Sequence, residues 1–256
     1  MRAFVVAAAL ALALVQAHAG RTCEAKPPQA ATVQRALELA QRTQQALDAS
    51  GAQVVVLGRA GQDLGKWGLR WSHLGYAYRG DAGWRVVHKL NQCGTANAGL
   101  YRQGLGEFFL DDLFDYQAAW VVPAPAVQAH LLALLQDNTR VAQLHTPAYN
   151  MVAYPWAQTY QQSNQWALET LALAEDPQVV NRKQAQAWLQ LKGYQPTVLQ
   201  IGALTRLGAR ATKANIAFDD HPNDKRFADH IETVTVDSVF AWFTKSGLGG
   251  PVQVIR

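Results

Sequence analysis

His73, His88 and Ser163 are the side chains whose types and placing could do chemistry. His73 stands inside an otherwise apolar segment, Trp71-Ser72-His73-Leu74-Gly75-Tyr76. An imidazole there must be satisfied or used, because an unpaired buried ring nitrogen costs about 1 to 3 kcal/mol. His88 falls in the next apolar segment beyond a Gly-rich turn, within cross-strand reach of His73, where a second imidazole could orient the first. Ser163 belongs to Tyr160-Gln161-Gln162-Ser163-Asn164-Gln165-Trp166, a polar run leading directly into an apolar helix. A hydroxyl at that junction meets the positive end of a helix dipole and free backbone N–H groups, which favour a nucleophile's negative charge and a developing oxyanion. The same position is where an ordinary capping serine sits.

These residues need a sheet and a helix to hold them. Apolar positions at Val33, Leu37, Ala40 and Leu47 repeat with helical spacing over residues 30–49 and stop at Ser50-Gly51. Gln53 to Leu57 then becomes β-branched and reads as a buried strand ending at Gly58. Alternation over residues 71–79, the turn Gly80-Asp81-Ala82-Gly83 and a second run over 84–90 predict a hairpin carrying both histidines. Residues 119–122 read as another strand, and Pro125 starts a helix to 136. Further helices are expected over 164–174 and over 184–191, the latter stopped by Gly193 and Pro196. Asp237 or Ser238 is expected to cap a last helix running to Lys245. No repeat or linker interrupts the chain, so residues 20–256 are expected to form a single α+β domain, a central antiparallel sheet packed by helices.

Other motifs are less specific. Asp219-Asp220-His221-Pro222, with His230 beyond it, offers carboxylates and imidazoles to a divalent cation. Its spacing fits no well-specified zinc pattern and equally describes a turn before proline, so no metal or other cofactor is assigned. Trp67, Trp71, Trp84, Trp156 and Trp166 flank the motifs and could line a groove for an extended peptide or glycan, although tryptophan of this kind is usually core.

Composition sets the bounds. The chain has 256 residues, 49% hydrophobic and 16% charged, enough for a sizeable core. Its formal net charge of +4 comes from scattered basic residues, and no nucleic-acid motif or phosphate loop is present. Arg2, the apolar run Phe4 to Val15 and Ala17-His18-Ala19 have the form of a signal peptide over residues 1–19, too short to span a bilayer. The mature chain is therefore expected to be periplasmic or secreted, without a stable membrane span. An oxidising compartment favours a Cys23–Cys93 bridge over a nucleophilic Cys93.

Several of these pieces together carry a resemblance. Cys23, Gly58-Arg59, Trp71 to Gly75, Trp84 to Cys93, Gln103-Gly104-Leu105, Tyr160 to Glu169, Ala185 to Leu189 and Asp219 to Pro222 resemble an uncharacterised family of exported bacterial proteins known as a domain of unknown function. The order of a strand-borne histidine followed by a nucleophile at a helix start is similar to the circularly permuted papain-like fold of NlpC-type peptidases and lipid-amide acyltransferases. The resemblance implies His73 as base, His88 as orienting group and position 163 as nucleophile in amide or ester chemistry. Tyr160, Asn164, Gln165, Trp71, Asp219, Asp220 and His221 would then contact an envelope peptide, glycan or lipid-amide ligand. The family pattern has cysteine where this chain has Ser163, and a hydroxyl is far harder to ionise than a thiol. Two further readings follow, a non-catalytic envelope binding module with the same fold and a metal-dependent hydrolase built on Asp219, Asp220, His221 and His230.

Overall fold

The computed structural model describes residues 27–111 and 113–256. The expected leader over residues 1–19 and Cys23 lie outside the described residues. The first helix is α1 (Ala30–Ala49), followed by β1 (Val54–Ala60), β2 (His73–Gly80) and β3 (Gly83–Asn91). The chain continues through β4 (Ala98–Gly104), α2 (Leu105–Phe109), β5 (Asp115–Val121), α3 (Pro125–Leu135), α4 (Asn138–Ala142), α5 (Ser163–Glu175) and α6 (Arg182–Leu191). It ends with β6 (Thr197–Gln200), α7 (Ala203–Thr212), α8 (Asn223–Phe227), β7 (His230–Thr233), α9 (Val236–Lys245) and β8 (Gln253–Ile255). The result is a single α+β domain with a six-stranded antiparallel sheet in the order β4-β3-β2-β1-β5-β8. A two-stranded sheet, β6-β7, stands beside it. Among the described residues no helix is long and apolar enough to cross a membrane.

The apolar run of β1 is buried along its whole length because both faces of the sheet are covered. Val54 and Val56 face a core built with α3, α5 and α9, whereas Val55 and Leu57 face α1 and α2. The strand does not stop at Gly58 as its sequence suggests. Gly58 lies within it because α9 passes close by, and a Cβ there would meet Val236 and Phe240 at 3.0 and 3.1 Å. The cap of α9 is Thr235, which exchanges hydrogen bonds with Ser238 in a capping box, two residues before Asp237 and three before Ser238, the caps expected. Asp237 instead accepts from the backbone N–H groups of Arg70 and Trp71 and ties α9 to the approach of β2.

The hairpin of β2 and β3 forms as expected, with Gly83 at φ 102 in its turn. Its ladder ends early. The last pair at the far end is Tyr76 with Val87, beyond which the two strands part. Just before this opening Gly75 and β3 approach closely, and a Cβ on Gly75 would lie 2.9 Å from both His88 Cβ and Val86 Cγ1 and 3.0 Å from the Val87 carbonyl. Because the last of these is backbone, Gly75→Ala should destabilise the protein by about 1 to 3 kcal/mol, read as a lowered midpoint in denaturant unfolding at unchanged m-value.

Candidate functional site

Alternation along β2 sends Leu74, Tyr76 and Tyr78 to the α5 side of the sheet, so His73 shares the opposite, α2 side with Gly75 and Ala77. His88 stands on that same side, packed edge-on to the Phe108 ring of α2 at 5.2 Å. There the two imidazoles meet. His73 Nε2 lies 2.8 Å from His88 Nδ1, and His88 Nε2 lies 2.9 Å from Gln103 Oε1 on β4. An amide oxygen only accepts, so His88 carries its proton on Nε2 and turns the lone pair of Nδ1 toward His73. His73 must then donate from Nε2, which leaves its Nδ1 unprotonated with a free lone pair. The line Gln103, His88, His73 therefore runs in one direction.

Electrostatics keep both rings neutral. Burial, then the neighbouring Arg59 guanidinium, then His88 hold His73 well below the usual histidine range. Burial and Arg59 bring His88 down to about 3, against a smaller opposing effect of its bond to Gln103. Arg59 is 3% exposed, lies 4.7 Å over the Phe108 ring, donates to the Phe108 carbonyl and pairs with Asp111 at 2.5 Å. Sequence reading gave neither Arg59 nor Gln103 a role, although both stood within the segments that carried the resemblance.

Ser163 approaches from the other face. It is the first residue of α5, and the cap is its neighbour Gln162, whose side-chain oxygen accepts from Asn164 N–H. Asn164 enters the opening between β2 and β3, where its Oδ1 accepts the Leu74 N–H at 3.1 Å in place of the missing β3 carbonyl. Its Nδ2 donates to the Val234 carbonyl. Ser163 and His73 thus come to the same end of β2, joined through their chain neighbours. Among the described residues no hydrogen bond links the Ser163 hydroxyl to either imidazole, and the buried Tyr149 phenol is the side chain near enough to feel it. The surroundings are closed rather than an open crevice, with Ser163 5% exposed and His88 fully buried, while His73 is partly exposed.

A buried polar hub fixes the segment that leads to Ser163. Arg182 of α6 pairs with Glu169 of α5 at 2.8 Å and donates to the carbonyls of Gln158 and Tyr160. Glu169 also accepts from Gln161, Gln165 and Gln186. Lys89 of β3, fully buried, donates to the carbonyls of Thr146 and Gln161 and to Gln161 Oε1. Only the polar spacing of residues 160–165 hinted at this hub in the sequence.

The remaining residues expected at the site divide cleanly. Gln165 is buried and donates to the Pro155 carbonyl, which makes it part of the hub. Trp71, Trp84 and Trp166 belong to the core, although Trp84 also reaches a surface cavity between α1, the β2–β3 turn and the start of α2. Asp220 and His221 form a structural knot, in which His221 Nδ1 meets Asp220 Oδ1 at 2.9 Å and Nε2 meets the Glu232 carbonyl at 3.0 Å. The second Asp220 oxygen accepts Tyr154 N–H. With both ring nitrogens occupied, His221 has none to offer a cation, and among the described residues no group of three or more histidine, cysteine or acidic side chains is placed to hold one. Tyr160 keeps a partly exposed position and donates to Asp219 at 3.2 Å.

The family model for an uncharacterized protein conserved in bacteria (DUF2145) matches residues 46–243, a span that includes β1 to β7 and most of α9. The chain belongs to this family. No curated protein and no solved structure matches it. For this DUF2145 member, the matched region contains the whole imidazole line, the hub and the start of α5.

The neutral imidazoles give a pH dependence with a definite sign. His88 binds a proton near pH 6.5 when unfolded and only near 3 when folded, so the unfolded chain takes up more protons between those values and stability falls as pH drops through that window. His73 acts in the same direction. Denaturant unfolding at pH 5 should show the wild type less stable than at pH 7, by about 2 kcal/mol for His88, and His88→Gln should lose most of that difference.

Proposed function

We propose that this protein is an exported, envelope-facing member of the permuted papain-like class whose His73, His88, Gln103 line and Ser163 form an acyl-transfer centre for amide or ester substrates. The observation that supports the reading is the direction of the imidazole line, which leaves an unprotonated His73 Nδ1 at the end of β2 that the first turn of α5 reaches from the other face. In such a centre the Ser163 side of α5 and the His73 side of β2, which lie on opposite faces of the sheet at the same strand end, would have to meet past that end when substrate binds; His73 Nδ1 would then take the Ser163 proton as the oxygen attacks the substrate carbonyl, and return it to the departing amine or alcohol. Water or a second acceptor then releases the acyl group from Ser163. Backbone N–H groups of the α5 first turn would receive the developing oxyanion. Export and a Cys23–Cys93 bridge, which would tie the mature amino end to the loop after β3, belong to the same reading. Cys93 is not a free thiol.

A second reading has an observation of its own. Ser163 is 5% exposed and, among the described residues, its hydroxyl has no hydrogen bond to His73 or His88, which favours a non-catalytic envelope module that keeps the architecture and binds without turnover.

One experiment separates the two. Under the first, a fluorophosphonate probe labels Ser163, and His73→Ala lowers the labelling rate by about 10² or more, in line with the loss of a general base. His88→Phe should slow labelling less. Absence of label on Ser163 in a folded sample, together with no thiol reactivity in Ser163→Cys, would establish the non-catalytic reading.

A further inference from the structure

Helix α7 is inside out for a helix packed on a protein surface. Such a helix normally turns its apolar stripe inward and its charges to water. In α7 the inward side carries Arg206, which donates to the Ile201 carbonyl and pairs with Asp229 at 2.5 Å, and Ala209, which packs on the small core of Leu199, Ile201, Phe218 and Ile231. No residue of the helix is buried. Its outward side is Leu204, Leu207, Gly208 and Ala211, with Leu204 86% and Leu207 67% exposed. The neighbouring helix α8 extends this character. Phe227, two residues before Asp229, is 72% exposed beneath the Arg226 guanidinium.

Charge states what covers this face. Every ionised side chain between Asp176 and Asp219 is a lysine or an arginine. Arg206 is consumed by Asp229, but Arg210 and Lys213, in the last turn of α7 and just after it, have no ion pair among the described residues. Of the nearby acids, Asp229 pairs with Arg206 and Glu232 with Lys225, while Asp219 accepts from the Tyr160 phenol and Asp224, on α8, has no ion pair among the described residues. An apolar stripe on a helix that carries no acid and ends in unpaired cations is the pattern of a helix that lies in the headgroup region of an anionic bilayer, with leucines among the acyl chains and basic side chains at the phosphates. A second protein would need to present acids around an apolar groove, whereas an anionic lipid surface offers both at once.

We infer that α7, continued by Phe227, is an interfacial anchor that docks this protein on a membrane surface rich in anionic phospholipid. At about 15 Å, the helix lies along the surface and does not span it. Arg210 is close enough to Tyr160 to act on its phenol electrostatically, so docking would bring the Tyr160–Asp219 side of the molecule to the lipid. The inference stands whether or not Ser163 is a nucleophile.

Vesicle co-sedimentation of the full chain tests it, using phosphatidylglycerol–phosphatidylcholine vesicles against phosphatidylcholine alone. The wild type should bind the anionic vesicles more tightly, and less so at high salt. Leu204→Gln with Leu207→Gln should weaken binding at least about tenfold, and Arg210→Gln with Lys213→Gln should weaken binding and flatten its salt dependence. All four positions lie outside the buried core, so both double variants should keep the wild-type melting temperature. Absence of binding by the wild type would overturn the inference. So would binding that both double variants retain, which would assign it to another part of the chain. Self-association without vesicles that is lost in the leucine variant would assign the face to a second copy and likewise overturn it.

Discussion

One unfilled rung of the sheet organises this molecule. Where β2 and β3 part beyond Tyr76 and Val87, the Leu74 N–H loses its ladder acceptor, and a buried amide left in that state costs as much as a lost hydrogen bond. Asn164 supplies the acceptor from the first turn of α5. That single contact sets how far the helix start enters the sheet and therefore where Ser163 stands relative to β2. Gly75 lets β2 approach β3 closely beside the missing rung, and the His73–His88 hydrogen bond joins the two strands on the α2 face.

The two sides of the opening are stiffened by different means. On the α2 side, Phe108 and Arg59 surround the imidazoles with an aromatic ring and a positive charge, which excludes protonation and so preserves the one-way line from Gln103. On the α5 side the Glu169–Arg182 pair is fully desolvated. A buried ion pair of that kind adds little net stability, because desolvation offsets the Coulomb attraction. Its use here is positional, since the remaining donors of Arg182 hold carbonyls of Gln158 and Tyr160 in the segment before Ser163.

The sequence made the secondary structure around the histidines legible because the signals were local. Alternation over residues 71–79 and the Gly-rich turn after it located the hairpin, and the helical spacing of residues 30–49 located α1. Elements held by distant partners were hidden. β4 reads as a Gly- and Asn-rich stretch and becomes a strand only because β3 offers a free edge, and β8 exists by pairing with β5. The strand through Gly58 was misjudged for the same reason, since the need for glycine comes from α9, far along the chain. At the site, the pairing of His73 with His88 followed from strand register and was readable. Gln103 was not, because its partnership depends on the unseen β4. Asp220 and His221 looked like ligands by type, and only the carbonyl of Glu232 and the Tyr154 N–H reveal them as a knot.

The direction of the imidazole line, which depends on both rings staying neutral, is what leaves the His73 Nδ1 lone pair free. Nitrogen-15 spectra of the two histidines in the folded protein at pH 6 test it most directly. The account predicts two neutral rings, each protonated on Nε2, with a coupling across the His73 Nε2 to His88 Nδ1 bond and no titration near pH 6.5. A ring protonated on Nδ1, or an imidazolium appearing near pH 6.5 while the protein remains folded, would contradict it.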